Sequence, residues 1–182
     1  MKQTILISLI FLSFNLYSQT KDGFYVTNSL DTVQCKIELP TFFGKTDFYS
    51  LYGSVKVNID GVTKRYKPKQ IQSFTVYNID SVNYKFMSFE TERYFVNVLV
   101  EGGLTLCEVY NPNPYDHSPG SVYALIKNNK IKYLNLFNTR SEVGKLISDY
   151  PELYKDWAVD KKYSIKDIVA VVKAYNAYTK HQ

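Results

Sequence analysis

Histidine and cysteine are almost missing from this chain: two of each occur in 182 residues, His117 and His181, Cys35 and Cys107. So small a supply excludes a disulfide scaffold and the Cys/His spacings of a zinc site. It also leaves a nucleophile with few bases to activate it. With 8 Gly and 6 Pro the sequence is neither low-complexity nor collagen-like. The spacings of a nucleophile elbow, a phosphate loop and a dinucleotide fold are absent, and nothing calls for a cofactor.

A long apolar run is lacking too. Residues 5–12 are apolar but for Ser8, follow a short start containing Lys2, and give way to Asn15, Ser18 and Gln19 before the roughly 20 residues of a spanning helix are reached. Residues 1–18 therefore read as a signal peptide cut after Ser18, with an N-terminal membrane anchor as the competing reading. Residues 19–182 read as one exported β-rich domain in the periplasm, at the cell surface or outside the cell, with no transmembrane segment of its own. In that oxidising setting Cys35 and Cys107 can form one disulfide, or stay free as buried thiols inside apolar strands.

What the chain has in plenty is tyrosine, 17 residues, within an aromatic fraction of 16%. Such rings favour pleated, half-buried surfaces. From Gly23 to about Phe137, short runs alternate with period two. Val33, Cys35, Ile37 and Leu39 alternate with Gln34, Lys36 and Glu38, placing the first set inward. Asp60-Gly61 is a two-residue turn signal that pairs Ile59 with Val62 and Val55 with Tyr66. Further hairpins are expected at 93–100 with 104–110 and at 122–126 with 130–136, and residues 111–120 form a proline-rich loop. After Phe137 the period becomes helical. Asn138 or Thr139 caps a helix carrying Val143, Leu146 and Ile147, Pro151 starts a short one carrying Leu153 and Trp157, and Ser164 with Asp167 opens the last. The fold class is α+β. A mainly antiparallel sheet (19–137), a meander able to curl into a partial barrel, precedes a C-terminal cap of two to three short helices (138–182).

Several stretches carry a resemblance. Gly23-Phe24-Tyr25-Val26, Tyr66-Lys67-Pro68-Lys69-Gln70-Ile71, Val98-Leu99-Val100-Glu101-Gly102 and Asp149-Tyr150-Pro151-Glu152-Leu153 look like those of uncharacterised exported proteins common in Bacteroidota-type bacteria. The resemblance extends over most of residues 19–182. It implies export and a single domain, and it supplies no catalytic residues.

Candidate chemistry is thin. Asp116, His117 and Ser118 are adjacent, so their side chains diverge and cannot form a triad relay. Glu90 and Glu92 share a strand face at roughly 6 to 7 Å, a spacing that suits a glycan-acting hydrolase; the plainer reading is a polar hairpin end. Residues 19–110 carry 10 basic and 10 acidic groups, whereas 111–182 carry 11 and 7, so the positive excess lies C-terminal. Lys127, Lys130, Lys132, Arg140 and Lys145 form a basic patch facing Glu142, able to attract anionic envelope components or simply to solubilise the surface. No nucleic-acid motif accompanies it. The function expected is therefore a noncatalytic, exported binding module for an envelope protein or surface polymer. The alternative is a small apolar-ligand carrier with a pocket lined by Phe86, Phe95 and Tyr123.

Overall fold

The computed structural model describes residues 19–42, 45–89, 91–116, 118–128 and 130–180. The expected leader, Glu90, His117 and His181 lie outside the described residues. Ten strands form one antiparallel sheet: β1 (Gln19–Val26), β2 (Thr32–Leu39), β5 (Val55–Ile59), β6 (Val62–Tyr66), β7 (Ser73–Ile79), β8 (Val82–Met87), β9 (Val96–Val100), β10 (Thr105–Tyr110), β11 (Ser121–Lys127) and β12 (Lys130–Tyr133). Between β2 and β5 lie a two-stranded ribbon, β3 (Thr41–Phe42) with β4 (Lys45–Thr46), and a helix, α1 (Phe48–Gly53). The sheet order is β12-β11-β10-β9-β8-β7-β1-β2-β5-β6. From β7 onward the chain is the expected meander; β1 departs from it by sitting between β2 and β7.

The Asp60-Gly61 turn holds the expected register, Ile59 opposite Val62 and Val55 opposite Tyr66. Both turn residues have positive φ, 50° and 84°, which a right-twisted two-residue hairpin requires and glycine accepts without strain. The β7–β8 hairpin uses Asp80 and Ser81 at φ 50° and 65°, a turn without glycine and hence with little signature in the sequence. The hairpin expected at residue 93 starts its strand at Val96, so Glu92 sits in a loop and not on a strand face.

The sheet curls without closing. Tyr66 on β6 and Tyr25 on β1 are separated by β5 and β2, about 14 Å along a flat sheet, yet their rings lie 5.0 Å apart and their hydroxyls 3.3 Å apart. The curl wraps Ile37, Leu39, Val55, Val57, Phe74 and Phe86 into one core, and α1 plugs it with buried Leu51 and Tyr52. A helix within the stretch assigned to strands corrects the sequence reading. At six residues it is too short to show helical periodicity, and its mark is Asp47, whose carboxylate accepts from the amides of Tyr49 and Ser50.

The C-terminal cap follows the expected order: α2 (Thr139–Leu146), α3 (Pro151–Tyr154) running into a π-helical turn (Lys155–Val159), a 3-10 turn (Ile165–Asp167) and α4 (Ile168–Thr179). Ser164 and Asp167 form the capping box that opens the last helix. Val143, Ile147, Trp157, Val171, Val172 and Tyr175 bury against Val100, Leu104, Leu106 and Leu125 of the sheet, a second core beside the first. The opposite sheet face carries a third, with Val96, Cys107, Val109, Ala124 and Ile126 under Phe89. Trp157 is fully buried, donates from Nε1 to the carbonyl of Arg140 (2.9 Å), and lies under the Arg140 guanidinium at 4.8 Å.

Replacing Trp157 by Ala should cost about 3 to 5 kcal/mol, read from urea unfolding. A chain ending at Phe137 should lose cooperative unfolding, because the sheet residues of the second core would face water. Cooperative melting at the full-length temperature would show the cap to be dispensable.

Candidate functional site

The ends of β9, β10 and β12 converge where the loop 88–95 folds back. Glu92 N donates to Phe89 O (3.0 Å) to turn the loop, and Phe95 N donates to Tyr52 O (2.8 Å) to tie its end to α1. The walls of the resulting cleft, about 580 Å³, are Glu92, Arg93 and Tyr94 from the loop, Tyr110 from β10, Tyr133 from β12 and Asn135 beyond it, with Val109 and Val122 also lining it. Tyrosines end both strands because a ring there covers apolar neighbours while its hydroxyl reaches water.

The rings are fixed by one another. Tyr94 meets Tyr110 edge to face at 4.9 Å, and Tyr110 stacks on Tyr52 at 5.6 Å, so the aromatic wall is continuous with the first core. The Arg93 guanidinium lies 5.9 Å from the Tyr94 ring centre. Tyr133 donates its hydroxyl to the Glu92 carboxylate, and burial followed by that partner pushes the phenol up to about 12. The cleft thus offers ring faces, a carboxylate, a guanidinium and a side-chain amide, a set suited to a polyhydroxylated ligand.

Behind it, Glu108 on β10 accepts from Tyr52 Oη (3.1 Å), Asn97 Nδ2 (3.3 Å) and Ser121 Oγ (2.5 Å). Burial, then the Glu108 charge, drives the Tyr52 phenol well above its ordinary range. Alternation marks Glu108 as a solvent-side residue between inward Cys107 and Val109. Because α1 covers part of that second face, the carboxylate finds three donors instead of water, an arrangement no local pattern announces.

The residues singled out from the sequence fare unevenly. Phe86 and Phe95 are buried, with Phe74 stacked on the first at 4.8 Å and edge-on to the second at 5.0 Å, while Tyr123 is 43% exposed. Phe86 and Phe95 are thus core rings packed on Phe74, whereas Tyr123 stands at the surface. Glu92 belongs to the cleft, bonded to Tyr133 and in a loop. Asp116 accepts from the amide of Ser118 (3.0 Å), which holds its carboxyl below the usual range, an Asx turn in the expected loop.

Of the five cations of the basic patch, Lys127 and Arg140 are held by internal partners, and Glu142 faces two of the others. Lys127 donates to Leu146 O (2.9 Å) and Tyr175 Oη (2.8 Å) and lies 3.7 Å from Asp149. Arg140 donates to the carbonyls of Trp157 and Tyr163. Lys132 and Lys145 share Glu142 at 3.4 and 3.0 Å, and Lys130 stands exposed on the edge strand. No group of three or more metal-ligating side chains forms among the described residues. No helix among them is long and apolar enough to cross a membrane.

Cys35 and Cys107 are free thiols in different cores, five strand spacings apart along the sheet and beyond disulfide reach. Burial pushes them up to about 11 and about 12. No family model, curated protein or solved structure matches the chain.

Alkylation of the native protein at neutral pH should therefore label Cys107 negligibly, and alkylation after unfolding without reductant should label both thiols; a mass increase of zero would reveal a disulfide. The raised thiols and the raised phenols of Tyr25 and Tyr133, each up to about 12, keep their protons in the folded state beyond the unfolded values near 9 and 10. Their contribution is full below those values and lost as pH rises through the folded ones. Urea midpoints should consequently be level to about pH 8.5 and fall between about pH 9 and 12, less steeply in Cys107→Ala.

Proposed function

We propose that this chain is an exported, noncatalytic envelope module that binds a surface polymer, a saccharide chain, in the cleft between the loop 88–95 and the ends of β10 and β12. The observation that carries the reading is the tyrosine wall. Tyr94, Tyr110 and Tyr133 offer apolar ring surface to the C–H face of a sugar, and Glu92, Arg93 and Asn135 stand beside it to bond the hydroxyls. Ser88 N donates to Gln72 O and Phe95 N to Tyr52 O, both at 2.8 Å, and these bonds anchor the segment that carries Glu92, Arg93 and Tyr94. Residence outside the cytoplasm rests on the leader pattern of residues 1–18 and on the resemblance to exported proteins. The cleft reading is preferred to a carrier pocket because Phe86 and Phe95 are buried core rings packed on Phe74, whereas the cleft's tyrosines line an open surface.

Soluble saccharide fragments released from the producing cell's envelope are the probe, and titration calorimetry the measurement. Binding should be saturable. Tyr133→Ala or Arg93→Ala should weaken it by about 30-fold, the effect of losing an interfacial anchor, with the thermal midpoint little changed. The polymer should be recovered at unchanged length. Binding indifferent to both substitutions would remove the cleft from consideration, and newly released reducing ends would make the protein a hydrolase.

A further inference from the structure

Between β12 and α2 the chain presents two adjacent apolar side chains to solvent, Leu136 at 81% exposure and Phe137 at 96%. They are not the ends of a slack loop. Asn135 Oδ1 accepts from the amides of Phe137 and Asn138, both at 2.9 Å, and Asn138 Oδ1 accepts in return from the amide of Asn135 at 2.7 Å. Thr139 Oγ1 then closes onto the Asn135 carbonyl at 2.6 Å. Two asparagines and a threonine thus hold a knuckle whose apolar side chains touch no core.

Phe137 also forms one wall of a groove of about 650 Å³, whose other walls include Gly144, Tyr154 and Ala158, with Arg140 and Lys145 in its lining. Lys132 lies within 3.4 Å of Glu142, which is bonded through its amide to Asn138 at the base of the knuckle. Lys130 is two residues away on the same edge strand. With Arg140 turned inward onto carbonyls, three lysines remain on this side, Lys130, Lys132 and Lys145; Glu142 pairs with the last two and Lys130 stands exposed, so the balance beside the apolar tip is positive.

We infer that this knuckle is a membrane-docking wedge: Leu136 and Phe137 enter the headgroup boundary of an anionic lipid surface while Lys130, Lys132 and Lys145 face the headgroups. The tip projects, and a fluid interface accepts a projecting apolar pair without a preformed pocket. Anionic lipid attracts each neighbouring Lys, which gives the apolar contact a preferred surface. A second copy of the chain is a poorer occupant, because the exposed lysines of β12 would confront their own counterparts across the contact. The inference is independent of the saccharide cleft.

The test is co-sedimentation with vesicles of phosphatidylcholine containing about one-third phosphatidylglycerol, set against phosphatidylcholine alone. The full chain and a chain starting at Gln19 are both used, so that the apolar leader is not mistaken for the wedge. Binding should favour the anionic vesicles and fall sharply in about 1 M salt, where charges are screened within about 3 Å. Leu136→Ser with Phe137→Ser should weaken it at least about tenfold in both forms, and should leave the melting temperature unchanged because neither side chain is buried. Lys130→Gln with Lys145→Gln should flatten the salt dependence. The idea fails if the serine variant sediments like the parent, or if neutral vesicles bind equally well. A concentration-dependent dimer that the serine variant abolishes, without vesicle binding, would assign the knuckle to self-association and overturn it.

Discussion

Asn176 fastens the helical third of the molecule to the sheet. Its side-chain amide donates to Leu104 O at 2.8 Å and accepts from Leu104 N at 2.9 Å, completing both backbone bonds of a buried residue just before β10. An unpaired buried amide is costly, so this pair of bonds favours one register for α4 on the sheet. Gly102 permits the approach: a β-carbon there would stand 2.4 Å from the Asn176 amide carbon. With α4 fixed, Val171, Val172 and Tyr175 fall over Leu104 and Leu106, and Trp157 is enclosed from above.

Two apolar fields on one sheet face explain why the molecule uses two unlike covers. The half containing β1, β2, β5 and β6 curls until its own rings meet and needs only the six residues of α1 to finish. The half from β9 to β11 takes the whole C-terminal cap. Glu108, held by Tyr52, Asn97 and Ser121, sits where polar groups can be paired between these covers. A carboxylate there sets the boundary between them, since neither cover can slide over it without stranding a charge.

Features written in period, turn chemistry or caps were legible in the sequence. The Asp60-Gly61 hairpin, the alternation of β2 and the Ser164–Asp167 cap follow from a few neighbouring residues, and each forms at its expected place. Long-range choices were not. Nothing local says that β1 pairs with β7, that Asp80-Ser81 turns without glycine, or that Phe74 occupies the space between Phe86 and Phe95. The cleft was missed for the same reason: its tyrosines come from residues 94, 110 and 133, which only the folded strand ends bring together. Within the basic patch the limit is of another kind, because a count of lysines in a segment cannot know that Lys127 and Arg140 are turned inward onto carbonyls.

The position of β1 bears on synthesis. It is made before every other strand of the sheet and ends inside it, with β2 on one side and β7 on the other. β2 follows within one turn, but β7 arrives only after the ribbon, α1 and the β5–β6 hairpin have left the ribosome. During that interval one edge of β1, carrying Gly23, Phe24, Tyr25 and Val26, waits for Ser73 through Val76 with its backbone groups unpaired. Gly23 keeps that edge narrow: a side chain there would meet the Thr75 carbonyl at 2.2 Å, so the vacancy fits the late strand closely and other strands less well. The nascent chain is thus most open to mispairing in the middle of its translation, before the helices that finish the fold exist.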